Sequence, residues 1–184
     1  MARFPVLWAV VFLAIVAACG TAEPVGTTAS TAATTPTAPD SFPVVVNSER
    51  GATTISTPPR RIAALSATHV EMLFAMGAGD AVIAGDLYSN YPPEAVELTQ
   101  VDSFNLNLEA LIDLDPDLVI LSFDPGEALS ALDAVEIPTL LFGTPSDLDG
   151  VYEQIEALGV ATGHEADAAV LHAEMEAAIA ATVA

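Results

Sequence analysis

The sequence predicts an α/β fold: a three-layer, open, mainly parallel sheet with flanking helices, ending in a long helix. Three observations predict it. Residues 61–65 (RIAAL), 81–84 (AVIA) and 117–121 (DLVIL) are short apolar runs of strand length. Each is followed by a polar or aromatic loop and then a helical pattern, the order that builds a parallel sheet with loops gathered at one edge. The stretch Glu165–Val183 is Ala-rich without Gly or Pro, as an uninterrupted helix requires.

Residues 1–18 read as a secretion signal. Arg3 supplies the positive start, residues 4–18 form an apolar run short for a spanning helix, and small residues precede Cys19. Cys19 is the single cysteine, so no intramolecular disulfide is possible and a metal–thiolate cluster is disfavoured. Its setting, Val16-Ala17-Ala18-Cys19-Gly20, resembles a bacterial lipobox, in which the thiol is lipidated and the chain cleaved just before it. The expected mature chain starts at Cys19 and is extracytoplasmic, lipid-anchored to the cell membrane. An ordinary signal-region cysteine is the alternative. Residues 19–41, rich in Thr, Ala and Pro, lack bulky apolar groups and read as a disordered tether reaching about 25 Å.

The 25 acidic residues stand against four arginines and no lysine, a net charge of −21. A nucleic-acid partner needs a basic footprint, so that function class is excluded. The acidic surface otherwise serves solubility.

Within the folded region, residues 42–46 and 52–55 read as a hairpin, and Pro58-Pro59 blocks helix and feeds the first core strand. Thr68 is expected to cap a helix carrying Val70, Leu73, Phe74 and Met76, with Glu71 completing a capping box and Gly77 ending it. Gly77-Ala78-Gly79 follows a helix and precedes a strand, the reverse of a phosphate-binding loop, so it reads as a helix cap and turn. Residues 106–114, 125–135 and 148–158 are amphipathic helices, with a strand at 138–142 between the last two. Asp113-Leu114-Asp115-Pro116-Asp117 begins like a calcium loop, but Leu118 stands where Gly is needed, so it reads as a charged turn.

Taken together, PPRRIAALSATHVEMLFAMGAGDAVIAG, YSNYPPEAV and NLNLEALIDLDPDLVIL resemble the substrate-binding proteins of ABC importers for ferric siderophores, cobalamin and haem, in order and spacing. The resemblance implies a class III periplasmic-binding-protein lobe at 42–162 and a long interlobe-type backbone helix at 163–184. It also implies a second α/β lobe, which this sequence lacks. A fragment, a truncated gene product and a one-lobed protein stay open.

In a parallel sheet, Tyr88 and Phe104 fall on loops at the carboxyl edge, and the resemblance makes both ligand contacts. Flat aromatic faces suit a large chelate or macrocycle. Packing against the domain is the alternative, and Tyr91, beside Pro92-Pro93, is expected to pack the turn. His69 is the histidine near that edge. As a lone histidine it is a poor metal site, and a ring hydrogen bond or helix cap suits it better. Ser66 and Ser122 offer hydroxyls to ligand oxygens or satisfy backbone at strand ends. Glu109 matches, by resemblance, the glutamate that pairs with arginines on the permease. No nucleophile, base and orienting acid form a recognisable set, so no catalytic residue, metal ligand or cofactor is expected.

Arg50, Arg60 and Arg61 precede or start the first core strand, opposite the expected mouth. A strongly anionic chelate finds no cation there, whereas a hydroxamate-type Fe(III) chelate or a corrinoid is easier to hold. The expected role is solute binding for an ABC permease. The alternatives are a surface-anchored interaction module, an inactive fragment and, more weakly, an anchored hydrolase.

Overall fold

The computed structural model describes residues 42–183. The expected signal, the lipidation site Cys19 and the tether lie outside the described residues. Strands β1 (Val44–Ser48) and β2 (Gly51–Ile55) pair antiparallel, with Val44 opposite Ile55 and Ser48 opposite Gly51. The hairpin is tighter than expected: Glu49 and Arg50 alone make the turn, and Gly51 takes φ 105°, which favours glycine. Arg50 donates twice to the Asp133 carboxylate at 2.8 Å, while the Glu49 amide donates to the Leu141 carbonyl at 2.9 Å. These bonds seat the turn on the helix that carries Asp133 and on an edge strand of the main sheet.

That sheet comprises β3 (Ile62–Leu65), β4 (Val82–Asp86), β5 (Thr99–Val101), β6 (Leu118–Leu121) and β7 (Thr139–Leu141), in the order β5-β4-β3-β6-β7. Every neighbouring pair is parallel. β3 and β6 are buried at every position, because helices cover both faces. Ile62, Ala64, Leu118 and Ile120 pack on one face with α1 (Ala67–Ala75) and α4 (Leu148–Thr162). Ala63, Leu65, Val119 and Leu121 pack on the other with α2 (Leu108–Asp113) and α3 (Ala128–Ala134). This is the expected three-layer arrangement.

Three local expectations are corrected. Helix α1 starts at Ala67 after Ser66, which makes no side-chain cap, so Thr68 and Glu71 lie inside the helix and form no capping box. The strand expected at 81–84 runs Val82–Asp86, because Gly79–Ala81 closes a 3-10 turn first. The edge strand β5 was not expected: Thr99-Gln100-Val101 is short and exposed or half-buried, without a buried apolar run to betray it.

The end of α1 is as expected. Gly77 has φ 84°, its amide donates to Phe74 at 3.1 Å, and the Ala78 amide donates to Leu73 at 2.8 Å, the pair of bonds that closes a Schellman cap. The long helix α5 (Glu165–Val183) follows Gly163, which ends α4 with φ 76°. Its start lies tightly on α4: a Cβ added at Gly159 would stand 2.5 Å from the Ala168 Cβ. Leu171 and Met175 also touch the core, whereas Val170 and Val183 face solvent.

Candidate functional site at the carboxyl edge of the sheet

Register decides which loops meet. Leu65 of β3 pairs with Leu121 of β6, so Ser66 and Ser122, each next in the chain, sit beside one another at the carboxyl edge. From β3 the chain runs through α1 to β4 on one side; from β6 it runs through α3 to β7 on the other. Ser66 and Ser122 therefore flank the topological switch point, where open α/β sheets hold ligands.

On the β5 side of this point the rim is aromatic. Tyr88 lies just past β4 and Phe104 just past β5, and they are 67% and 68% exposed. Phe104 meets Phe123, the residue after Ser122, with ring centroids 5.2 Å apart and planes tilted by 35°. The loops after β5 and β6 thus meet through two aromatic rings at the rim. Sequence reasoning assigned Phe123 no role, although its place directly after Ser122 was a usable signal. Tyr91 does not pack its turn as expected: it is 63% exposed, three residues after Tyr88 in the same loop.

The backbone under these rings is held. The buried Asp86 carboxylate accepts from the Tyr88 amide at 2.9 Å and from the Ser103 hydroxyl. The Asp102 carboxylate accepts from the Phe104 and Asn105 amides, each at 3.0 Å, and from the Asn105 side chain. The Asn105 side chain, then these backbone amides, hold the exposed Asp102 carboxyl below its ordinary pKa.

His69 is a correction. It is buried in the first turn of α1, its ring edge-on to Phe142 at 5.9 Å, and its Nδ1 has no hydrogen-bond partner. At that burial it is not open to a ligand, and Ser66 rather than His69 holds the N-cap position, so of the expected roles the ring hydrogen bond fits. Burial pushes its pKa down to about 4, with a side-chain hydrogen bond to Gln154 pulling the other way, so the ring is neutral at neutral pH.

Glu109 is exposed in the first turn of α2, which Asn107 caps by accepting the Ala110 amide at 3.0 Å. Because α2 follows the loop after β5, Glu109 sits near the same rim. The arginines lie elsewhere. Arg61 reaches the carbonyls of Leu114 and Asp115 at the end of α2, and the Asp117 carboxylate accepts the Arg60 and Arg61 amides at 2.8 and 2.9 Å. Those contacts lie at the amino edge, opposite the mouth.

A second concavity escaped sequence reasoning. A groove of about 720 Å3 runs between the β1–β2 turn and the start of α4, lined by Glu49, Phe142, Asp147, Asp149, Glu153 and Gln154 among others. Among the described residues no cluster of three or more His, Cys, Asp or Glu side chains is arranged to hold a metal ion, and no helix is long and apolar enough to cross a membrane.

Known proteins share this architecture. Residues 62–184 match the sequence model of a family described as periplasmic binding protein. An uncharacterized ABC transporter substrate-binding lipoprotein of Bacillus subtilis is 29% identical over 86% of this chain and 51% of its own length. A cobalamin-binding protein of Halobacterium salinarum is 31% identical over 77% of this chain and 40% of its own. Among solved structures, a periplasmic heme-binding protein from Roseiflexus is 32% identical with a TM-score of 0.62, over 66% of this chain and 48% of that one. An ABC-type Fe3+-hydroxamate transport system protein from Saccharomonospora viridis is 27% identical with a TM-score of 0.62, over 77% and 56%. The chain spans about half or less of the length of the curated relatives it matches.

Proposed function

Since the chain belongs to the periplasmic binding protein family, we propose that it captures a solute outside the cytoplasm for an ABC import system. The observation that carries this reading is the rim itself: Tyr88, Phe104 and Phe123 gathered beside Ser66 and Ser122 at the switch point of a parallel sheet. Exposed aromatic faces on held loops bury ligand area at little cost in side-chain entropy. The serine hydroxyls supply polar contacts to ligand oxygens.

The ligand is a neutral or cationic Fe(III) chelate of the hydroxamate type, or a corrinoid. Arg50 and Arg61 are engaged away from the mouth and Arg60 stands at the amino edge, while Asp102 and Asp124 stand on the loops of the mouth, so a strongly anionic chelate meets only repulsion here. Cys19 anchors the chain to the membrane through lipid. Glu109 docks on an arginine of the permease and contributes orientation and encounter rate more than affinity.

Fluorescence titration of the purified chain tests the reading. Trp8, the single tryptophan, lies in the segment read as a signal, so the emission of the mature chain comes from Tyr88, Tyr91 and Tyr152. A ferric trihydroxamate or cyanocobalamin is expected to quench it saturably, and Tyr88→Ala to weaken binding about tenfold, the factor that ~1.4 kcal/mol of aromatic contact carries. No response to either ligand, or to hemin, rejects solute binding and favours a protein-interaction role for the exposed aromatics.

A further inference from the structure

We propose that Asp86 is a positioning residue that sets the geometry of the aromatic rim, by tying the loop that carries Tyr88 to the loop that carries Phe104. This deepens the solute-binding reading and rests on it for its consequence, but the tie can be measured without any ligand. Tyr88 and Phe104 are about two-thirds exposed, so apart from the contact of Phe104 with Phe123 little packing of their own rings fixes them. Their backbones are fixed from below instead. Asp86 is the last residue of β4 and only 4% exposed, and its two carboxylate oxygens serve different loops. Oδ1 accepts the Tyr88 amide at 2.9 Å, and Oδ2 accepts the Ser103 hydroxyl, from the residue just before Phe104.

The surrounding backbone closes the same arrangement. The Ser89 amide donates to the Asp86 carbonyl at 2.9 Å, and the Leu87 amide donates to the Val101 carbonyl at 3.1 Å, extending the β4–β5 ladder into the loop. Asp102 then orders the turn of Phe104 by accepting its amide and that of Asn105. Asp86 is the one side chain in this network that bonds to both loops. A carboxylate suits that place because each of its oxygens accepts independently, and charge-assisted bonds of this kind are stronger than neutral ones. Asn keeps the shape: its oxygen still accepts from Tyr88, and its amide can donate to the Ser103 oxygen.

The test is amide hydrogen exchange on the full chain and its Asp86→Ala, Asp86→Asn and Ser103→Ala variants. In Asp86→Ala the Tyr88 amide, which loses its acceptor, is expected to exchange roughly tenfold faster or more, the factor one lost charge-assisted bond carries. The Phe104 amide, still bonded to Asp102, is expected to exchange about threefold faster as its loop is released. Core amides at Ala64 and Ile120 should stay within about twofold. Asp86→Asn should restore the Tyr88 amide to within about threefold of wild type, and Ser103→Ala should release Phe104 more than Tyr88. Unchanged rim amides in Asp86→Ala, or core amides accelerated as much as rim amides, overturn the proposal, the second because Asp86 would then support only global stability. Binding is read separately by titration with a ferric trihydroxamate and cyanocobalamin. If wild type binds neither, the solute-binding reading fails and the exchange data still decide whether Asp86 ties the loops. If wild type binds and Asp86→Ala binds equally well, the rim does not need the tie and the positioning role is refuted.

Discussion

Lowering the pH should destabilise this protein through His69, and the size of the effect follows from its surroundings. The ring is 2% exposed, packed against Phe142, and its Nδ1 has no partner. Its pKa lies at about 4 in the folded chain against 6.5 in the unfolded one. Between those values the unfolded state binds more protons than the folded state, so the free energy of unfolding falls as pH falls from 6.5 towards 4. Each pH unit in that window is worth ~1.4 kcal/mol, so the loss is on the order of 3 kcal/mol, complete near pH 4 and absent above about pH 7. The assay is urea unfolding followed by circular dichroism from pH 7.5 to 4, on wild type and His69→Phe. Phe keeps a ring against Phe142 and removes the titration. Carboxylate titration and the relief of negative self-repulsion affect both proteins alike, so the difference between the two curves isolates His69. Parallel curves would refute the reasoning, since they would mean that the buried ring takes up its proton without penalty.

Two further outcomes test the packing around the site. Gly159→Ala should cost ~1–3 kcal/mol in unfolding free energy, because its Cβ would lie 2.5 Å from the Ala168 Cβ and force α5 off α4; an unchanged urea midpoint would show that this contact has slack. Asp147→Ala should cost ~1 kcal/mol, because Asp147 caps α4 by accepting the Gly150 amide at 3.0 Å, and equal stability in the same assay would deny the cap any role.

The parts of the fold that were legible in the sequence are those where local pattern and tertiary environment agree. IAAL and LVIL are apolar throughout because both of their faces are covered, and their central place in the sheet follows from that coverage. The uninterrupted alanine-rich stretch is one helix, as expected. What escaped was set by tertiary contacts. Strand β5 exists because it adds to the edge of β4, not because Thr-Gln-Val favours a strand. Thr68 offered a capping signal two residues too late, because α1 begins directly after β3. His69 was the least legible residue: nothing in Ala67-Thr68-His69-Val70 says which helical face turns inward until Phe142 and α4 close over it.

The site divides in the same way. Placing Tyr88 at the carboxyl edge required only that the strands be parallel, which alternating strand and helix patterns imply, whereas the place of Phe104 follows from the unexpected strand β5. Phe123, the Asp86–Ser103 tie and the acidic groove depend on which loops face one another, a matter of strand order. The sequence motifs reveal the connections and leave that order to the fold.

Backbone amide chemical-shift mapping on addition of a ferric trihydroxamate or cyanocobalamin tests the central claim most directly. Ligand held at the carboxyl edge predicts saturable shifts at Ser66, Tyr88, Phe104 and Ser122 to Asp124, with Arg60, Arg61 and Asp117 at the amino edge unmoved. Shifts confined to the amino edge or to the outer face of α5, or none with any ligand of this class, would contradict it.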